Sequence, residues 1–178
     1  MTMENCLPVV AIDRIVDSHL DDPLAGLGAV ADVRDYLNYI CRLLDAEKYS
    51  QWLELCSPDF RYVIQTYSPE LRREVLWMDK DRQSLATLCE QLPQHEKYPG
   101  SLRRMIGWTV VVQRQSPDTL FVESAFTAYH TDQYGTSILF CTGMYVDQIS
   151  AEVGRFALRS RLVQMDTRRL PFGSHVPI

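Results

Sequence analysis

Four histidines, His19, His95, His130 and His175, are the residues best suited to hold a metal or move a proton near neutral pH. Each stands alone in the sequence. The nearest approach to a ligand pair is His130-x-Asp132, placed where a strand meets its turn, which favours a solvated pair. A mononuclear iron site needs two histidines and a carboxylate. A Rieske cluster needs paired Cys and His elements. The sequence contains neither pattern. The five cysteines, Cys6, Cys41, Cys56, Cys89 and Cys141, are scattered and show no C-x-x-C spacing. Several lie in apolar runs, where a thiol behaves as a small hydrophobe. This usage implies a reducing compartment, without a disulfide framework or zinc site. No nucleophile elbow, P-loop or dinucleotide fingerprint is present.

An enclosed acid–base site would draw on His130, Tyr62, Asp59, Glu123 and Tyr129, with Trp52 as a further pocket residue. Two points weigh against it. Tyr62 suits a core position with its hydroxyl tied off. His130 and Glu123 fall on opposite faces of one strand by parity. No catalytic, cofactor-binding or metal residue is therefore expected in this chain. Trp52, Tyr62 and His130 remain candidates for lining an interior pocket.

The arginines suggest a different role. Arg103-Arg104 precedes Trp108, Arg155, Arg159 and Arg161 share one face of a strand by parity, and Arg168-Arg169 follows. Arginine beside tryptophan and tyrosine is the composition of protein–protein hot spots. The formal net charge is −5 and the pI about 5.3. An acidic chain repels phosphate backbones, so nucleic acid is an unfavoured partner. No apolar run approaches the roughly 20 residues that cross a bilayer, and no signal peptide is evident. A cytoplasmic location is expected.

The elements that would position these residues fall into two halves. Residues 1–30 are irregular and read as an N-terminal arm, ahead of a domain over 31–178. From Asp32, a plausible N-cap, apolar residues recur at helical spacing: Val33, Tyr36, Leu37, Ile40, Leu43 and Leu44. A second helix carries Tyr49, Trp52, Leu53 and Cys56 and stops at Ser57-Pro58. Phe60, Tyr62 and Ile64 alternate with polar neighbours as a strand, and Val75 to Met78 form a second short one. Asp79 caps a third helix bearing Leu85, Leu88, Cys89 and Leu92. Four long strands follow, at about 101–115, 119–131, 136–150 and 155–167, joined by short turns and therefore antiparallel. Strands of that length must twist and curl. Gly107 and Gly143 lie inside strands and mark bulges or bends. The helices cover the concave face. The fold class is α+β: a cone-shaped barrel, three N-terminal helices on a strongly curved antiparallel sheet, similar to the SnoaL-like and nuclear transport factor superfamily.

Against this frame the chain resembles the beta subunits of Rieske-type ring-hydroxylating dioxygenases. The likeness rests on Leu44-Asp45 through Tyr49, Trp52 and Leu53, on Asp59-Phe60-Arg61-Tyr62, on Asp79-Lys80-Asp81-Arg82, and on the closing run Phe156 to Thr167. The chain departs from the family's usual pattern at Arg104-Met105 and Gly107-Trp108. That departure suggests a branch distant from the benzoate, biphenyl and naphthalene systems, including oxygenases of sulfonated or amino-substituted acids. The resemblance implies a small, structural subunit of an oxygenase that uses O2 and NADH-derived electrons. Its partners would be a Rieske large (alpha) subunit, commonly as three alpha and three beta chains, and other beta chains in a trimer. No cofactor is then expected in this chain; the [2Fe–2S] cluster and mononuclear iron would lie on the large subunit. Arg103, Arg104, Trp108, Arg155, Arg159, Arg161, Arg168 and Arg169 are the interface candidates. The alternative is a stand-alone dehydratase or isomerase of the superfamily, or a small-molecule-binding module.

Overall fold

The computed structural model describes residues 27–92, 98–116, 119–152, 155–173 and 177–178. Helix α1 (Leu27–Asp45) buries Val33, Leu37, Ile40, Cys41 and Leu44, one stripe at three- and four-residue spacing. It begins five residues before Asp32. Ala29 and Ala31, the best of helix formers, extend it into the stretch expected to be part of the arm. Asp32 is thus inside the helix and not its cap. Residues 1–26 lie outside the described residues.

Helix α2 (Tyr49–Glu54) buries Tyr49, Trp52 and Leu53. Strand β1 (Cys56–Ser68) begins two residues later and takes in Ser57-Pro58, expected only to end the helix. The strand tolerates Pro58 because its register against β6 is interrupted between Cys56 and Arg61, where no ladder N–H is required. Strand β2 (Arg73–Asp81) is longer than expected. Asp79, expected to cap α3 (Arg82–Gln91), instead sits in β2 and binds Arg61. The cap is Asp81, whose carboxylate accepts the Ser84 amide at 2.7 Å.

The four long strands appear as β3 (Ser101–Ser116), β4 (Thr119–Thr131), β5 (Ser137–Glu152) and β6 (Arg155–Met165). They join β1 and β2 in one six-stranded sheet of order β2-β1-β6-β5-β4-β3. Every pairing is antiparallel except β1 with β6. The sheet curves without closing into a barrel, and β2 and β3 are its edges.

Gly107 and Trp108 occupy a break in register between β3 and β4, the bulge expected there. Gly143 does something else: it pairs in register with Phe126 and Met165, and β6 passes so close that a Cβ would stand 2.2 Å from the Gln164 carbonyl oxygen. The concave face carries Tyr62, Ile64, Val122, Phe126, Tyr145 and Val163 in the same core as α1 and α2.

Candidate functional site

Strand register fixes what the interior of the cone contains. One cross-strand row runs Tyr62, Arg161, Asp147, Val122; the next runs Ile64, Val163, Tyr145, Ser124, Thr109. Arg161 and Asp147 are fully buried and joined by two hydrogen bonds of 2.8 Å, from Nε to Oδ1 and from Nη2 to Oδ2. The guanidinium also stands 4.1 Å above the Tyr145 ring, which stacks on Phe126 at 4.2 Å. Burial alone would lower the Arg161 pKa, but attraction to Asp147 outweighs it and the net shift is upward. A second ion pair lies between the sheet and α1. Arg104 donates from Nη1 to Asp45 at 2.7 Å, and its backbone N–H points at both carboxylate oxygens at 3.2 Å.

Pro177 and Ile178 enter this interior. The Tyr62 hydroxyl donates to the Ile178 carbonyl and accepts from the Ile178 amide, both at 2.8 Å. Arg104 Nη2 donates to the Pro177 carbonyl. Burial pushes the Tyr62 and Tyr145 hydroxyls upward in pKa, so both stay protonated near neutrality.

Asp45 and Asp147 are thereby each held by an arginine, and neither is free to act as a base. Donors do remain: Trp52 Nε1, Ser124 Oγ, Tyr145 OH and Arg161 Nη1 have no hydrogen-bond partner among the described residues.

The pocket candidates divide. Trp52 and Tyr62 meet edge-to-face at 5.8 Å in the core. His130 is buried elsewhere, edge-on to Phe172 at 4.7 Å and Tyr98 at 5.3 Å. Glu123 projects from the opposite face of β4, as parity requires. Asp59 is on the surface, held by Ser57 and Arg159, and Tyr129 is exposed. Asp132 accepts the backbone amides of Tyr134 and Thr136 at 2.9 Å, so it shapes the β4–β5 turn. Among the described residues no three His, Cys, Asp or Glu side chains converge to hold a metal. His19, His95 and His175 lie outside them.

The interface candidates divide too. Arg103, Trp108, Arg155, Arg168 and Arg169 are exposed, and Arg159 is half-exposed. Arg104 and Arg161 are inside the fold, engaged with Asp45 and Asp147. The shared face expected for Arg155, Arg159 and Arg161 is broken by a bulge: Gln148 pairs with Ser160, but Ile149 pairs with Leu158. Arg159 is the extra residue, and the parity reverses across it. Sequence reasoning missed Asp45, Asp147, Tyr145 and Ser124. A signal existed for Asp147, which shares the parity of Tyr145 and Ile149 and so carries a charge on an apolar face.

On the outer face, register aligns Arg103, Tyr129 and Leu139 across three strands. Met105, Trp108 and Val110 lie along the same edge of the sheet, and all three are exposed. Tyr129 and Leu139 are exposed as well, so this edge presents several large apolar side chains to solvent.

A family model described as the ring hydroxylating beta subunit matches residues 41–171. The chain is 40% identical to the beta subunit of 2-aminobenzenesulfonate 2,3-dioxygenase of an Alcaligenes species, over 82% of this chain and 97% of that one. It is 32% identical to the beta subunit of the methanesulfonate monooxygenase hydroxylase of Methylosulfonomonas methylovora, over 88% and 91%. A structure of naphthalene 1,2-dioxygenase with indole in its active site superposes with a TM-score of 0.71 at 17% identity, over 85% of this chain and 86% of that one. That likeness establishes the fold.

Proposed function

This chain belongs to the family of ring-hydroxylating beta subunits, and from that premise we propose how it serves an oxygenase. It is the small subunit of a multicomponent oxidoreductase, paired with a large alpha subunit. Its work is to hold other chains in place. The observation that carries this reading is the division of its surfaces: carboxylates locked by arginines inside, and an apolar, arginine-bordered sheet face outside.

The residues present do not fit an iron–sulfur or iron centre. The four described cysteines are buried and free, and no group of three His, Cys, Asp or Glu converges to hold a metal among the described residues. The [2Fe–2S] cluster and mononuclear iron are assigned to the large subunit, and the assembly to three alpha and three beta chains with beta–beta contacts about its axis. Residues 31–178 act as one domain. The buried free thiols support a reducing, cytoplasmic setting. Arg103, Trp108, Arg155, Arg159, Arg168 and Arg169 are the surface residues assigned to partner contacts; Arg104 and Arg161 support them from inside. Both curated relatives are named for sulfonates, which supports a sulfonated small molecule as the substrate of the complex.

The test is assembly. Purified alone, the chain is expected to hold no stoichiometric iron and to oxidise nothing. Co-expressed with its large subunit, it is expected to elute as a heterohexamer by light scattering. A chain that stays apart from that subunit, or turns over substrate alone, overturns the reading.

A further inference from the structure

We infer that Pro177 and Ile178 are a built-in peptide ligand that ties β1 to β3 across the inside of the curved sheet. In the sheet order three strands, β6, β5 and β4, lie between those two. No main-chain ladder joins β1 to β3 directly. Yet Tyr62 on β1 and Arg104 on β3 bind consecutive residues of one segment. Both partners are buried, Tyr62 completely, and Ile178 is 2% exposed.

The recognition is of peptide groups. One hydroxyl reads both the carbonyl and the N–H of Ile178, and one guanidinium reads the carbonyl before it. Proline suits position 177, because it brings no N–H that would be left without an acceptor in the interior. The Ile178 side chain joins the hydrophobic core. Arg104 also holds Asp45, the last residue of α1, so the latch ties that helix to both strands. The pocket is therefore a binding site for a short Pro-Ile segment, and this chain supplies its own.

The test removes residues 174–178 and supplies an amidated synthetic peptide of residues 173–178. The shortened chain is expected to melt several degrees lower, to bind the peptide one to one by calorimetry, and to regain the lost stability. The full chain, its pocket filled, is expected to bind none. Tyr62→Phe in the shortened chain is expected to weaken the peptide about tenfold. Binding to neither chain, or equal binding to both, overturns the inference. Should the shortened chain fail to fold, amide exchange of Ile178 in the full chain decides. Protection of roughly a hundredfold or more, lost on Tyr62→Phe, supports the latch, and exchange at the rate of a free peptide overturns it.

Discussion

Arg161 and Asp147 face each other across β6 and β5 with neither side chain touching solvent, and two parallel hydrogen bonds join them. Each ion is tolerated there only because of the other. Asp147→Asn leaves the guanidinium buried without its counter-charge and is expected to cost about 3–5 kcal/mol in urea unfolding. Replacing both, Arg161→Met with Asp147→Leu, is expected to cost far less. Equal losses for the single and double variants would refute a mutual dependence.

Gly143 predicts a steric failure. Gly143→Ala drives a methyl into the Gln164 carbonyl and the Met165 backbone, and neither strand has room to retreat. The expected loss is about 3 kcal/mol. Gly135→Ala meets no neighbouring atom; only its φ of +86° is strained. Its expected cost is about 1 kcal/mol. Thermal melts of the two variants give the comparison.

Burial, the leading cause at each of four thiols, raises Cys41 and Cys89 to about 11 and Cys56 and Cys141 to about 12. At pH 8 almost none is thiolate, the form that alkylates. Peptide mapping after brief iodoacetamide treatment is expected to find all four unmodified in the folded chain and labelled in urea.

Asp59 is held below the usual carboxylate range, first by Ser57 and then by Arg159, and Asp79 by Arg61. A depressed pKa stabilises the fold above the unfolded-state value, about 4, and that stability is lost as pH falls through the folded-state value. Stability is therefore expected to be flat from neutrality to about pH 5 and to fall below about pH 4. Asp59→Asn with Asp79→Asn should shallow that fall. Both pairs are exposed enough for salt to screen them.

The outer face predicts an assembly defect without a folding defect. Trp108→Glu with Leu139→Glu is expected to weaken association with partner chains by about thirtyfold or more, in the range of hot-spot losses. The circular dichroism spectrum should stay unchanged. Co-purification with the large subunit is the readout.

Much of this was legible in the residues. Each long strand of the second half lies within two residues of its expected bounds, because alternation and short turns are local signals. What stayed hidden depended on the register between strands. A single extra residue at Arg159 sends Arg161 inward, and nothing local announces it. The parallel joining of β1 to β6 was hidden for the same reason, since α3 and four strands intervene between them. Asp79 and Asp81 are equally good caps on paper; the extra length of β2, set by pairing with β1, decides between them.

Strand β3, sixteen residues long, pairs with β4 on one side, and no strand among the described residues pairs with the other. Asp45 covers one of its outward amides, at Arg104. Such a margin is a template on which a foreign strand can add. It carries Met105, Trp108 and Val110 in the open, and the bulge at Gly107-Trp108 is what interrupts its straightness. Expressed without companion chains, this polypeptide is expected to self-associate along that margin.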